Sequence, residues 1–351
     1  NRIEALHAPY WLDADPNGAN SVSGSVAERS FGFTPYGDHL LMQCGLEVVT
    51  ANGEVMRTGM GALPGSDTWQ LFKYNFGPYL DGLFSRSNFG IITQLGLWLM
   101  PAPPAVRPFM LALPDVAAVG EAIEILRPLK ISMALPGTIV ISDNAADNAL
   151  VTASGGRSLT LPRPWHLYGA IYGLEDNVAL IWESVRAALG TLGGAKISTT
   201  DDPPAHPAWP LRNRLMHGSP VYRAFADRVP PALWFNACAP MDAQAATDML
   251  AIIADATAGA SFNAAREFQL TWRTLFMRIT IPFLPEDRDD AITFALGVIE
   301  RLGAAGYAVS HDCAALRAAV HARQTAAPLR ALYKSLGQAL DPNGVLGREP
   351  D

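Results

Sequence analysis

Cysteine is scarce in this chain, and so are several other residues and patterns that would mark a particular class of protein. Cys44, Cys238 and Cys313 are the only three cysteines in 351 residues. They form neither a CxxC pair nor a disulfide framework, so buried free thiols are expected. The seven histidines, His7, His39, His166, His206, His217, His311 and His321, show no metal-ligand spacing, and no metal site is expected. Charged residues make up 17% of the chain, the net charge is −7 and there is no long basic run, which argues against a nucleic-acid partner. No apolar run is long enough to span a bilayer, so no membrane partner is expected. An initiator methionine and a signal-peptide pattern are both missing at Asn1. The chain reads as a processed product or a fragment, and its compartment, cytoplasm or periplasm, is not legible.

Apolar residues are 49% of the chain, which at this length suits one large domain or two with ample core. The stretch from Ser21 to His39 organises the rest. Ser21, Ser23, Gly24 and Ser25 are small, and Glu28-Arg29, Gly32 and the turn Thr34-Pro35-Tyr36-Gly37-Asp38 follow. Small residues leave backbone N–H groups uncovered, so a flat or anionic ligand can come close to the main chain. A plain surface loop is the bland reading of the same residues. A hairpin comes next, with Leu46 to Val49 alternating, Asn52-Gly53 turning and Glu54 to Arg57 returning. The spacing of Trp69, Phe72 and Phe76 predicts a short helix over 69–76. A second glycine-rich run, Gly77 to Thr93, leads to a strand over 95–100. Pro101, Pro103 and Pro104 then mark a domain boundary.

Beyond Val106 the pattern changes. Strands at 109–113, 138–142, 166–172, 233–237 and 276–281 alternate with helical stretches at 116–126, 177–189, 243–256 and 288–302. Asp115 and Asp242 sit where helix caps belong. The alternation predicts an antiparallel sheet with helices on one face. Residues 153–164 and 201–220 read as Gly/Pro-rich connections. Residues 323–340 read as a last helix, ended by Asp341-Pro342-Asn343-Gly344.

Several motifs in order carry a family resemblance. They are Gly24-Ser25-Val26-Ala27-Glu28-Arg29, Gly32-Phe33-Thr34-Pro35-Tyr36-Gly37-Asp38-His39, Arg57-Thr58-Gly59-Met60-Gly61, Phe76-Gly77-Pro78-Tyr79-Leu80-Asp81-Gly82-Leu83-Phe84, Ser87-Asn88-Phe89-Gly90-Ile91 and Trp98-Leu99-Met100-Pro101. Dense over 11–104 and looser beyond, the chain resembles the vanillyl-alcohol oxidase and p-cresol methylhydroxylase flavoproteins. The resemblance implies an α+β fold, the second half of a PCMH-type FAD-binding domain plus a cap domain with an antiparallel sheet covered by helices. The implied units are 1–104 for the FAD-binding part, 105–305 for the cap and 306–351 for a segment returning to the FAD domain. The family's first, pyrophosphate-holding half of the FAD domain has no counterpart in this sequence: either the chain has lost it or it was never part of this polypeptide.

Function follows from the same resemblance. It implies an FAD-dependent oxidoreductase that oxidises a para-substituted phenol or related aromatic alcohol by hydride transfer to flavin N5. A non-catalytic relative, binding or scaffolding without flavin, stays open beside it. Cofactor contacts are implied at Ser21, Val22, Gly24, Ser25, Glu28, Gly32, Phe33, Gly90 and Ile92. Glu267 matches an active-site glutamate of the methylhydroxylase branch, and Arg273 follows it at the family's spacing. Where the family has a Tyr-Arg phenolate clamp this chain has Ser310-His311, so an always-charged fork gives way to an imidazole. The family's Pro-Asp reads Asp15-Pro16 here, which makes Asp15 the candidate acid beside the flavin. Glu267, Asp15 and His311 are thus the catalytic candidates; Arg273, Trp234 and Ser310 are the substrate candidates, with core packing the plain alternative for Trp234. The histidine that links to FAD in one branch aligns with Ala232, and the linking tyrosine of the other falls loosely near Tyr222, so FAD is expected to be held non-covalently. A homodimer and a cytochrome electron acceptor are the partners the resemblance implies.

Overall fold

The computed structural model describes residues 8–13, 15–157, 163–202, 206–223 and 231–347. Parts of both Gly/Pro-rich connections, 158–162 and 203–205, lie outside the described residues, as do His7 and the two ends of the implied domains.

The N-terminal part is small and loop-rich. Strand β1 (Tyr10–Trp11) is followed by helix α1 (Val22–Ala27), helix α2 (His39–Met42), and strands β2 (Gln43–Val49), β3 (Val55–Arg57), β4 (Ile91–Leu97) and β5 (Met100–Pro101). The Asn52-Gly53 hairpin is present, with Glu47 opposite Arg57 and Val49 opposite Val55. The resulting sheet has the order β3-β2-β4, and β5 returns to pair with β1. Residues 69–76 form turns rather than the helix their spacing predicts. Tertiary contacts outweigh helical periodicity there. The Arg57 guanidinium lies 4.2 Å from the Trp69 ring centroid, and Trp98 Nε1 donates to Gln70 O at 3.0 Å. Leu71, Phe72, Tyr74 and Phe76 are left facing outward.

The larger part follows the expected alternation. It runs β6 (Ala105–Leu113), α3 (Val116–Ile131), β7 (Ile139–Asp143), α4 (Asn144–Ala153), β8 (Trp165–Gly173), α5 (Glu175–Leu189), β9 (Lys196–Thr199), α6 (Trp209–Met216) and β10 (Ala232–Pro240). It continues with α7 (Ala243–Thr257), β11 (Ala265–Leu270), β12 (Thr274–Pro282), α8 (Arg288–Ala304), β13 (Val309–Asp312), α9 (Ala314–Gln324) and α10 (Ala327–Leu340). Asp115 caps α3 through Ala118 N at 2.9 Å, and Asp242 caps α7 through Ala245 N at 2.7 Å. Three elements depart from the sequence reading. The expected strand at 276–281 is the second arm of a hairpin, β12, whose first arm β11 carries Glu267. Part of the 201–220 connection is helix α6. The last helix, expected over 323–340, is α10 and starts at Ala327, where Pro328 suits the first turn, and a separate helix α9 precedes it.

Among the described residues eight strands make one antiparallel sheet, ordered β13-β10-β12-β11-β7-β8-β6-β9. The sheet therefore runs past residue 305, since β13 is its edge. Leu111, Leu167, Ile141, Phe268, Met277 and Ala237 lie side by side across it. All six are buried in the main core under α3, α5, α7 and α8. Alternation along each strand sends the intervening residues to the other face. That other face is partly covered by α6 and by Phe33, which pack on Met110, Val140 and Tyr168. It looks toward the N-terminal part.

A buried carboxylate joins the two parts. Asp13 accepts from the backbone N–H of Phe33 (3.2 Å) and Thr34 (2.7 Å), and from His39 Nε2 at 3.1 Å. The other imidazole nitrogen is 2.7 Å from Ser25 Oγ. Burial opposes protonation of His39, but the hydrogen bond to Asp13 and the charge of that carboxylate outweigh it and raise the pKa. This Ser-His-Asp group is buried at all three positions, so it serves as a clamp. Phe33 O, fixed by it, accepts from Thr138 N at 3.1 Å at the start of β7. Glycine is required at position 32, where a Cβ would sit 1.4 Å from Asp13 Oδ1. Gly32→Ala should therefore lower stability by about 3 kcal/mol or more, read as the urea midpoint. Gly82→Ala, whose added methyl meets nothing within 4 Å, should stay within about 1 kcal/mol of the parent.

Candidate active site

The open face of the large sheet carries a polar row. Register places His311 of β13 opposite Asn236 of β10, Asn236 opposite Arg278 of β12, and Arg278 opposite Glu267 of β11. Glu267 in turn faces Ser142 of β7, which faces His166 of β8. Cross-strand partners emerge on one face, so six polar side chains from six strands line up between two apolar neighbours of the same sheet. Two of the three catalytic candidates, Glu267 and His311, stand in this row.

Glu267 is held from outside its own hairpin. Arg273, which follows it in sequence, is not its partner. The structure supplies Arg212 of α6 instead, with Nη2 2.6 Å from Glu267 Oε2, while Gln269 Nε2 donates to Oε1 at 2.9 Å. The same guanidinium reaches Asp147 Oδ1 at 3.0 Å. Arg212 is fully buried; burial works against its charge, and the two carboxylates more than restore it, so its pKa moves up. Asp147, also fully buried, accepts in addition from Ser142 Oγ (2.8 Å) and Tyr168 Oη (2.7 Å).

His166 and His206 join this hub. Their ring centroids are 4.0 Å apart, and Asp147, His166 and His206 offer ligand-type atoms within 4.8 Å of one another. Sequence spacing carries no hint of this grouping, because the three come from α4, β8 and the approach to α6. Its two nitrogens nearest Asp147, His166 Nδ1 and His206 Nε2, are buried without a hydrogen-bond partner. His206 Nδ1 accepts the Ala208 N–H at 3.1 Å, which leaves the proton on Nε2, facing Asp147 at 3.7 Å. Asp147 already takes three other donors, and the fixed charge of Arg212 adjoins it. Burial, then the neighbouring His206, pushes the His166 pKa down to about 4.

His311 differs from its expected role. Nε2 lies 2.8 Å from Arg29 O and therefore donates, and Ser310 Oγ is 2.9 Å from Nδ1. Both nitrogens are spent within the chain, so none remains to clamp a phenolate. Instead His311 locks the Arg29 carbonyl to the sheet. Its ring meets Phe31 edge-on at 5.8 Å, and Phe31 lies 5.2 Å from Phe276. Burial, reinforced by Arg86, lowers its pKa to about 4. Ser310 also reaches Asn236 O at 3.2 Å.

The other candidates divide. Trp234 lies beside the row, with the Arg278 guanidinium 4.6 Å from its ring centroid. Arg273 is apart from it, in the exposed hairpin turn over Trp272 at 5.0 Å. Asp15 is outside the row, near enough to His39 and Tyr222 to influence their protonation.

Among the cofactor candidates, the expected loop from Ser21 is helix α1, capped by Ser21 Oγ on Gly24 N at 3.0 Å. Most of its amides are spent. Ser25 N bonds Ser21 O, Glu28 N bonds Gly24 O, Ser30 N bonds Ser25 O, and Gly32 N bonds Gly37 O. The uncommitted cradle expected from small residues is therefore confined to the exposed first turn, Ser21, Val22 and Ser23, with Gly24 partly exposed beside it. Ser25, Gly32 and Phe33 are buried in their own contacts. Gly90 packs against Val48, where a Cβ would sit 2.3 Å from a methyl. Ile92 pairs with Val48 in the small sheet. Glu28 accepts from Arg317 at 2.8 Å, tying α1 to α9.

No protein-family model matches the chain. The flavoprotein subunit of 4-cresol dehydrogenase (hydroxylating) from Pseudomonas putida is 36% identical over 241 residues, 64% of this chain and 46% of the relative. The chain thus spans about half the length of that curated relative. Its fold superposes on p-cresol methylhydroxylase with substrate bound at a TM-score of 0.87 and 29% identity, over 98% of this chain and 72% of the other. The 4-ethylphenol oxidase of Gulosibacter chungangensis gives 0.87 and 25%, over 100% and 74%. A helix-backed antiparallel sheet facing a small loop-rich sheet is the α+β architecture of these flavoproteins. The chain is similar in sequence to the p-cresol methylhydroxylase flavoproteins and shares their fold.

Two outcomes follow from this geometry. Asp147→Ala strands the buried Arg212 charge and should cost about 3–5 kcal/mol in urea unfolding; Arg212→Met with Asp147→Asn should recover part of it. Unfolded histidine titrates near 6.5, and folded His311 and His166 near about 4. Their depressed values leave stability whole above pH 6.5 and erode it as pH falls toward 4, because only the unfolded chain takes up the protons. His311→Gln should reduce that slope by about one proton, measured as unfolding free energy against pH.

Proposed function

We propose that this chain is the cap-bearing part of an FAD-dependent oxidoreductase that oxidises a para-substituted phenol or related aromatic alcohol. The observation that carries the reading is the polar row, with Glu267 fixed by Arg212, facing the α1 segment in a chain of this fold. Polar atoms left without partners fit a polar planar group on this face. Asn236 Oδ1 is buried and unbonded among the described residues, and the first turn of α1 is exposed. Ser21, Val22 and Gly24 are the contacts that would hold the ring side of FAD, with no covalent link. The described residues offer no matching cradle for the pyrophosphate.

When bound, FAD supplies the hydride acceptor. Everything else falls to the chain. Trp234, Phe31 and Phe276 give flat walls for an aromatic ring. Glu267, with a donor on each oxygen, keeps lone pairs for a substrate hydroxyl and is the proton-handling group. Arg212 aims that carboxylate, and Asp147 aims Arg212. His311 positions the Arg29 carbonyl and Phe31. Asp15, off the row, is a second proton-handling candidate on the α1 side. Ser310 reaches the substrate only through His311, and Arg273 only from the turn. A homodimer and a cytochrome electron acceptor belong to the same reading.

Titration of purified protein with FAD should quench the flavin's fluorescence as its ring is bound, and the complex should be yellow. Glu267→Gln should lower turnover of a 4-alkylphenol by about 10²-fold or more, with a much smaller change in urea midpoint. Colourless protein that takes up no flavin would favour a scaffold without catalysis.

A further inference from the structure

Arg278 is the cation of the row that meets no acid. It stands at the middle of β12, half-buried, its guanidinium stacked on Trp234 with 4.6 Å to the ring centroid. Among the described residues no carboxylate lies within ion-pair distance of it, although Glu267 is its cross-strand neighbour. That carboxylate is turned to Arg212 and Gln269, at 2.6 and 2.9 Å. On the other side stands Asn236, only 6% exposed, with its Oδ1 buried and without a hydrogen-bond partner. Two adjacent groups in the middle of the row, a cation without a carboxylate and an amide oxygen without a donor, are thus unsatisfied.

Each is costly. A buried amide without partners forfeits about 1–3 kcal/mol, and a half-buried cation without a counter-charge is disfavoured as well. Both lie on the face directed at the N-terminal part, as cross-strand neighbours that make no hydrogen bond to each other. One ligand group relieves both. Stacking on the indole occupies the flat side of the guanidinium and leaves its edge, with paired N–H donors, for a planar oxyanion. The Asn236 amide, turned about its last bond, presents an N–H₂ to the same anion. Trp234 and Phe276 flank the position, so an aromatic ring attached to that anion is accommodated.

We infer that Arg278 and Asn236 form a carboxylate-binding subsite and that the substrate is an aromatic acid, a phenol or benzylic alcohol whose ring also carries a carboxylate. This rests on the reading of the row as an aromatic substrate site. It adds a specificity group that acts on binding, distinct from the proton-handling carboxylate of Glu267. A phenolate oxygen shares the anionic chemistry but has a single oxygen for the two-pronged donor edge, and the ligands below separate the two.

The test is calorimetric titration of the chain at pH 7 with phenylacetate, 4-hydroxyphenylacetate and 4-cresol. Both acids should bind at least about tenfold more tightly than 4-cresol, as expected of a charge-assisted bidentate pair. Arg278→Met should erase that advantage, so that acids and 4-cresol bind alike, Arg278→Lys should keep part of it, and Asn236→Leu should reduce it by a smaller factor. Urea midpoints for all three variants show whether the fold is intact, and the lysine variant carries the result if the methionine one does not fold. Acids that bind no better than 4-cresol, acids unaffected by Arg278→Met, or no binding of any of the three overturn the subsite. Flavin uptake on the same samples separates the two readings. Uptake of FAD with no preference for acids removes the subsite alone, whereas Arg278-dependent acid binding without FAD uptake keeps the subsite and removes the oxidoreductase.

Discussion

A single buried guanidinium holds the candidate site in shape. Arg212 bridges Asp147 and Glu267, which come from α4 and β11 and are brought together only by the sheet. A charge this deep is tolerated because two carboxylates surround it and each has further donors of its own. Ser142, Tyr168 and Gln269 supply those donors. The arrangement consumes the polarity of one end of the row and makes Glu267 rigid. It also accounts for why α6 lies where it does, across β6 and β8, with Trp209, Leu215 and Met216 sealing Tyr168.

The second organising contact is smaller and lies at the seam between the two parts. Asp13 gathers two backbone amides and an imidazole, and so fixes the strand-like run from Ser30 to Thr34. Phe33 is then delivered both as a core side chain of the face and, through its carbonyl, as a partner of Thr138. A serine, histidine and aspartate in line are familiar from hydrolases. Here burial of all three removes access to the hydroxyl, and geometry without exposure gives structure rather than nucleophilic chemistry. The amides that small residues were expected to leave free are mostly those this clamp and helix α1 consume.

Charge along the row is distributed unevenly. At one end Arg212 balances Asp147 and Glu267; at the other Arg86 and Arg317 gather around Asp312, with Arg86 Nη2 2.8 Å from its Oδ1. His311, kept neutral by burial and by Arg86, adds no charge between them. The middle, Arg278 and Asn236, is where polarity and space coincide.

Much of the fold is legible in the order of the residues alone. Alternating apolar residues mark the strands of the large sheet, aspartates before apolar runs mark the starts of α3 and α7, and Asn52-Gly53 marks the hairpin, since each signal is local and acts within a few residues. The family motifs single out Glu267. What they do not supply is its partner, because Arg212 lies 55 residues away on a helix with no distinctive pattern. Nor does the sequence reveal that His311 spends both nitrogens, that residues 69–76 forgo a helix, or that Asp147, His166 and His206 converge. Those outcomes depend on strand order and register, which place residues from distant segments side by side. Periodicity decides which face a side chain takes; only the assembled sheet decides who its neighbours are.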